Sequence, residues 1–371
     1  MTTSMPFVLH VDDEPDDLSP WKDEVQLQGN VEIEVCHPQE VTEAHLKKAS
    51  LVLVDFKIER WPERENASSL ALCPPNGLAV LVTLQERANE LDPKRARAYA
   101  LYTAVIQDVA QYLVHQPHIV ARSHNLEWIF EKSGAENPIA ARARRVAELA
   151  TAVESLPKDW PGDARASATQ ALHTWLALGN DVQWVEAAAR EIRRCRPPIH
   201  EFAEHTHGIG VLRWVLHKIL PYPTFLLDEA HLAARLRVSL RSLRAVADSS
   251  EFSSRFGTAR YTGALASFVG RRWWRAGVEY AIFEATADSP GDLRVLHDVL
   301  KSIPTIDVQQ APRLFPVLGK QFKTKDDLAT EDAVVEVRPD DWPPFADDAW
   351  ALRADIEDVP ELKAVAVEDE R

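Results

Sequence analysis

The chain has 371 residues, of which 46% are hydrophobic, and a formal net charge of −15. That length exceeds one compact domain and points to about two, each with its own core. The charge argues against indiscriminate binding to nucleic acid, and three scattered cysteines, Cys36, Cys73 and Cys195, argue against a disulfide framework and for the cytoplasm.

The amino terminus carries neither a basic region nor a long apolar run, so no signal peptide is expected. Phe7 to Val11 is an apolar run that ends in Asp12-Asp13-Glu14, which predicts a strand followed by an acidic turn. Val31 to Val35 alternates apolar and acidic residues, as an edge strand does. Leu51 to Val54 is continuously apolar and ends at Asp55, the pattern of a strand buried on both faces. Gly77 to Ala88 has helical spacing, Ala98 to Tyr102 and Leu126 to Phe130 read as fourth and fifth strands, and Pro138 to Ser155 as a closing helix. Alternating strands and helices predict an α/β fold, a doubly wound five-stranded parallel sheet. In such a sheet ligands bind beyond the carboxyl ends of the strands, where Asp12, Asp13 and Asp55 fall. Three carboxylates in one crevice repel one another and imply a divalent cation; oxygen ligands suit Mg²⁺. One carboxylate is then free to act as a nucleophile toward a phosphoryl group.

On these residues the resemblance becomes explicit. Phe7 to Asp17 (FVLHVDDEPDD) and Leu51 to Asp55 (LVLVD) resemble the first and third strands of the receiver domains of two-component response regulators. Asn76-Gly77-Leu78 resembles the start of the family's third helix, Leu101-Tyr102-Thr103-Ala104 its fourth strand, and Phe130-Glu131-Lys132 its fifth. The resemblance covers residues 5 to 155 and implies a flavodoxin-like receiver over residues 1–156. It makes Asp55 the phosphoacceptor and Asp12, Asp13, Asp55 and the backbone carbonyl of Lys57 the Mg²⁺ ligands. Thr103 would bind a phosphoryl oxygen and Lys132 would pair with the phosphoryl charge. A histidine kinase or phosphotransfer protein is the implied partner, and a homodimer is left open. The sequence departs from the family in a long insertion at 56–75, in Ser133 after Lys132, and in the sensing aromatic residue, near whose place stand Trp128, Ile129 and Phe130.

Beyond Pro157 strand signals nearly vanish. Helical stretches are predicted at Ala164 to Leu178, Val182 to Arg194, Ile209 to Ile219, Glu229 to Asp248, Tyr261 to Glu284 and Gly291 to Ser302, with one short strand at Ala333 to Val337. A mostly α-helical output domain is therefore expected at 157–325. The apolar stretch from Gly208 to Leu227 contains Arg213, His217, Lys218, Pro221 and Pro223, and no membrane span is expected there. Leu232 to Val246 resembles a helix-turn-helix within residues 228–248, with Ser239 capping its second helix. The alternative to a response regulator with an interaction domain is thus a DNA-binding transcriptional regulator, the less favoured reading because an amphipathic core helix has the same pattern. Arg241, Arg244, Arg271 and Arg272 are the candidate nucleic-acid or polyanion contacts.

Leu226 to His231 copies a helicase motif, but the chain has no phosphate-cradling loop, and Asp228 reads better as a helix cap. His200, His205 and His207 near Cys195 match no familiar zinc spacing. No second catalytic centre is predicted beyond Mg²⁺-dependent self-phosphorylation of the receiver. Residues 231 to 280 hold nine arginines against three acids, whereas residues 326–371 hold sixteen acids against four basic residues. That opposition predicts an acidic tail docked on the arginine-rich surface through Trp342 and Trp350.

Overall fold

A computed structural model describes residues 5–61, 74, 76–91, 95–104, 106–110, 116–132, 138–157, 165–199, 207–286 and 292–367. The chain divides into two compact units: residues 1–176 with 198–217, and residues 177–197 with 218–371.

The first unit is built on five parallel strands, β1 (Phe7–Val11), β2 (Glu32–Cys36), β3 (Leu51–Asp55), β4 (Ala98–Thr103) and β5 (Trp128–Glu131), in the order β2-β1-β3-β4-β5. Every residue of β1, β3 and β4 is buried, which is why these segments read as unbroken apolar runs. β2, at the edge, is less covered, with only Ile33 and Cys36 fully buried. The helices α1 (Ser19–Gln28), α2 (Glu43–Lys48), α3 (Gly77–Asn89), α4 (Ile106–Val109), α5 (Pro117–Ser123) and α6 (Ile139–Glu154) connect or follow the strands, and α7 (Arg165–Trp175) completes the series. The order of strands reverses between β1 and β3, and a parallel sheet opens a crevice at that point. Of the insertion at 56–75, residues 62–73 and 75 lie outside the described residues, as do Ser133, His200 and His205.

The second unit departs from the helical expectation. It holds α8 (Val185–Arg194), α10 (Glu229–Leu236), α11 (Leu240–Val246), α12 (Ser250–Phe256), α13 (Arg275–Ala285) and α14 (Leu293–Lys301), while α9 (Ile209–Trp214) belongs to the first unit. Alongside these helices the short strands β6 (Leu226–Leu227) and β7 (Trp273–Trp274) pair, and a four-stranded sheet is added. Its strands are β8 (Phe315–Leu318), β9 (Thr324–Ala329), β10 (Val334–Val337) and β11 (Ala349–Leu352), in the order β10-β11-β8-β9. Residues 326–371 are therefore no appended tail: they supply most of β9 and all of β10 and β11, followed by α15 (Arg353–Ile356) and α16 (Pro360–Val365). A boundary at 325 would cut through β9. Leu318, Val337, Ala349, Ala351 and Leu362 form a small core of their own there.

Two predicted helices are shorter or broken. The run from Glu229 to Asp248 is interrupted at Arg237, whose left-handed conformation (φ 57°) ends α10. The run from Tyr261 becomes helical only at Arg275, because Trp273 and Trp274 are used as strand β7 and are buried to within 1% and 2%. Among the described residues no helix is long and apolar enough to cross a membrane.

Candidate functional site

The crevice is lined by the carboxyl ends of β1 and β3. Asp12 follows β1, and its carboxylate accepts from the Glu14 N–H at 2.9 Å, so the turn after the strand holds the side chain in place. One Asp13 carboxylate oxygen accepts from the backbone N–H groups of Glu59 and Arg60, both at 2.7 Å. Asp55 ends β3. Oxygen atoms of the three carboxylates lie within 4.8 Å of one another, and among the described residues no other group of three His, Cys, Asp or Glu could share an ion.

Lys132, just past β5, brings its ammonium 2.9 Å from Asp55 and 3.8 Å from Asp12. Among the described residues Lys132 is the cation paired with Asp12 and Asp55. Burial pushes the Asp55 carboxyl up to about 6, against the pull of Lys132 and with a further upward push from Asp12. Three carboxylates beside one lysine ammonium form a donor set of hard oxygens short of positive charge, which fits a divalent ion such as Mg²⁺.

The backbone around Asp55 is tightly packed. Asn76 caps α3 by accepting from the Ala79 N–H at 3.2 Å, and the Gly77 N–H donates to the Phe56 carbonyl at 2.8 Å. A Cβ at Gly77 would stand 1.9 Å from the carbonyl oxygen of Asp55, so this close approach admits only glycine. Lys57, two residues beyond Asp55, bridges to Asn76 and sets its ammonium 3.8 Å from Asp108. Thr103 ends β4 and is buried, and its carbonyl accepts from the Lys132 N–H at 2.6 Å, which ties the two strand ends together.

A buried cluster behind the acids was not anticipated from the sequence. His10, on the same face of β1 as Asp12, accepts from Trp21 Nε1 at 3.0 Å, and Trp21 stacks on Tyr102 at 4.9 Å between ring centroids. Burial holds the His10 imidazole far down, at about 3, with Lys132 as the lesser cause, so it is neutral at physiological pH. The Lys132 ammonium lies 5.1 Å from the Tyr102 ring centre. The signal available was period two: His10 and Asp12 share a strand face, and Tyr102 precedes Thr103.

The four arginines considered for polyanion contact separate. Arg272 is buried, only 8% exposed, and donates to the carbonyls of Leu220 and Arg271; it has no surface to offer, and that expectation is corrected. Arg271 pairs with Glu229 at 2.7 Å and Asp248 at 2.5 Å. Arg244 pairs with Glu229 at 2.9 Å and Asp326 at 2.8 Å. Arg241 is exposed on α11. The turn between α10 and α11 buries Ala233, Val238 and Leu243 completely, with Ser239 accepting from the Ser242 N–H at 3.3 Å. Asp228 caps α10 through the His231 N–H at 2.8 Å.

No family model and no curated protein matches the sequence. Among solved structures, the crystal structure of the response regulator ChrA in a heme-sensing two-component system aligns with 71% of this chain and 94% of that chain, at 12% identity and a TM-score of 0.26. A superposition that loose carries no argument. What the first unit has in its own right is the strand order and the acidic crevice at its point of reversal.

Proposed function

We propose that the chain is a response regulator of two-component signalling: its first unit is a doubly wound receiver, phosphorylated on Asp55 by a histidine kinase or phosphotransfer protein in the cytoplasm, and its second unit carries the output. The observation that carries this reading is the Lys132 ammonium 2.9 Å from Asp55, at a crevice where three carboxylate side chains converge. An excess of acids beside a lysine, gathered at the end of a parallel sheet, suits a site that receives both a metal and a phosphoryl group.

Asp12, Asp13 and Asp55, with the Lys57 carbonyl, would hold Mg²⁺, which when bound supplies positive charge to the carboxylates and to phosphoryl oxygens. An Asp55 carboxylate oxygen attacks the phosphorus of a phosphohistidine. The P–O bond forms as the P–N bond breaks, and the departing imidazole keeps the electron pair and takes a proton from solvent. Thr103 then donates its hydroxyl to a phosphoryl oxygen, and Lys132 turns from the Asp55 carboxylate to the new phosphoryl charge. Movement of Lys132 changes what Tyr102 packs against, which gives the buried His10–Trp21–Tyr102 cluster a part in sensing the event.

The full chain, given Mg²⁺ and acetyl phosphate, is expected to gain one phosphoryl group that is labile in both acid and base. Asp55→Asn should abolish it, and labelling of that variant at the wild-type level would remove the assignment.

A further inference from the structure

At the opposite end of the strands from Asp55 the first unit holds a second polar cavity, of about 310 Å³, lined by Arg95, Arg97, Tyr99, Asn125, His207 and Arg213 among others. The arginines there are not equivalent. Arg95 pairs with Glu154. Arg213 pairs with Glu127 at 2.5 Å, a carboxylate with no exposed surface. Arg97 pairs with no carboxylate among the described residues. It is only 9% exposed, donates to the Leu46 carbonyl and, at 3.4 Å, to the Tyr99 hydroxyl, and its Nε–H is buried with no partner. The single acid on the cavity wall, Glu86, is exposed on α3.

A guanidinium removed from water without a counter-charge is costly, and so is a buried N–H without an acceptor. An anion seated in the cavity supplies the missing counter-charge. The wall chemistry narrows its nature: Asn125, His207 and the Tyr99 hydroxyl are hydrogen-bonding groups suited to oxygen acceptors, and the planar fork of arginine matches a carboxylate or a phosphate. The volume lies at the lower end of the range of small-molecule pockets.

We propose that this cavity binds a small oxyanion, a carboxylate or a phosphate, received by Arg97 with His207 and Asn125 completing its hydrogen bonds. The first unit then takes two inputs: phosphorylation at the carboxyl ends of its strands and a soluble metabolite at their amino ends. Without Mg²⁺ the acids around Asp55 repel anions, so in the absence of metal the two sites do not compete for the same ligand. This proposal stands independently of Asp55.

The test uses the full chain in EDTA, titrated calorimetrically with inorganic phosphate and, separately, with succinate, each against sodium chloride of equal ionic strength. Saturable binding of one probe is the expected result, and the probe that binds identifies the source of the oxyanion. Arg97→Lys keeps the charge but loses the fork and the Nε–H, and should weaken binding by about tenfold or more, the worth of a charged hydrogen bond. His207→Ala, at the rim and outside the core, should weaken it less while leaving the fold intact, which covers the case of an Arg97 variant that does not fold. Heats no larger than those of sodium chloride for both probes, or variants that bind as tightly as the wild type, would overturn the proposal.

Discussion

The two units treat charge in opposite ways. In the first, strands β1, β3 and β4 are buried throughout, and at the strand ends three carboxylates converge, two of them paired with one lysine. In the second, arginines and acids are matched. Glu229 serves both Arg244 and Arg271, Asp248 serves Arg260 and Arg271, and Asp347 serves Arg235 and Arg275. The basic block at 231–280 and the acidic block after 326 meet within that one unit. A large charge in a sequence window is therefore no measure of surface potential; what marks a site is a group of charges left without enough partners.

The strongest way to break this contrast is at the close approach that builds the acidic crevice. Gly77→Ala places a methyl 1.9 Å from the Asp55 carbonyl oxygen, where backbone must move to admit it. The expected loss is about 3 kcal/mol or more in chemical denaturation, together with impaired labelling of Asp55. A variant as stable as the wild type would show that α3 does not sit so near the strand end. Next in size is Arg213→Met, which strands the fully buried Glu127. Arg213 is about a third exposed, so a loss of about 2 to 3 kcal/mol is expected, below the full cost of opening a buried pair. Glu127 is already held above the usual carboxylate range by burial, with Arg213 opposing. Removing that opposition raises it further, and the destabilisation should shrink as pH falls.

The acidic crevice was legible because strand ends in a parallel sheet are fixed by the apolar runs that precede them. Phe7–Val11 and Leu51–Asp55 could be bounded to within a residue, and Asp12, Asp13 and Asp55 followed. Lys132 and Thr103 needed the resemblance, since a lone lysine or threonine carries no pattern. The second sheet was not legible beyond β10. β9 reads Thr-Lys-Asp-Asp-Leu-Ala, with only Ala329 buried, so it lacks the apolar alternation that betrays a strand, and β11 pairs with β8 from more than thirty residues away. Nor could sequence separate Arg272 from Arg271, although one is buried and the other pairs with two acids: a single position of register decides it.

A subtler test lies where the second unit's matching is incomplete. Burial pushes the Glu191 carboxyl up to about 7; Arg275 opposes this, Glu279 adds to it, and one Glu191 oxygen has no hydrogen-bond partner. The folded state therefore holds a proton that the unfolded chain, with an ordinary glutamate, releases near 4.5. Between those values the native state binds the more protons, so this group lowers stability as pH rises. Glu191→Gln should melt higher than the wild type above pH 7 and lose that advantage as pH falls toward 4.5. An advantage independent of pH would mean that packing, not ionisation, is responsible.

The smallest expected effect is at Arg244, and it decides between the two outputs. Arg244 is 45% exposed and bridges Glu229 to Asp326, whose carboxylate is 81% exposed. Exposed pairs are worth up to about 1 kcal/mol, and Glu229 keeps Arg271 when Arg244 is lost. Arg244→Ala should therefore lower stability by less than about 1 kcal/mol. Were the α10–α11 pair a reader of duplex DNA, Arg244 and the exposed Arg241 would contact phosphates, and each lost contact would weaken binding and flatten its dependence on salt. With Arg244 already held by two carboxylates and a chain of net charge −15, a phosphate would have to displace Asp326 against the repulsion of the whole molecule. The full chain is expected to show no salt-dependent affinity for duplex DNA. Affinity that falls with salt and is reduced by Arg241→Ala and Arg244→Ala would instead make this unit a transcriptional output, and Asp326 its counter-ion in the unbound state.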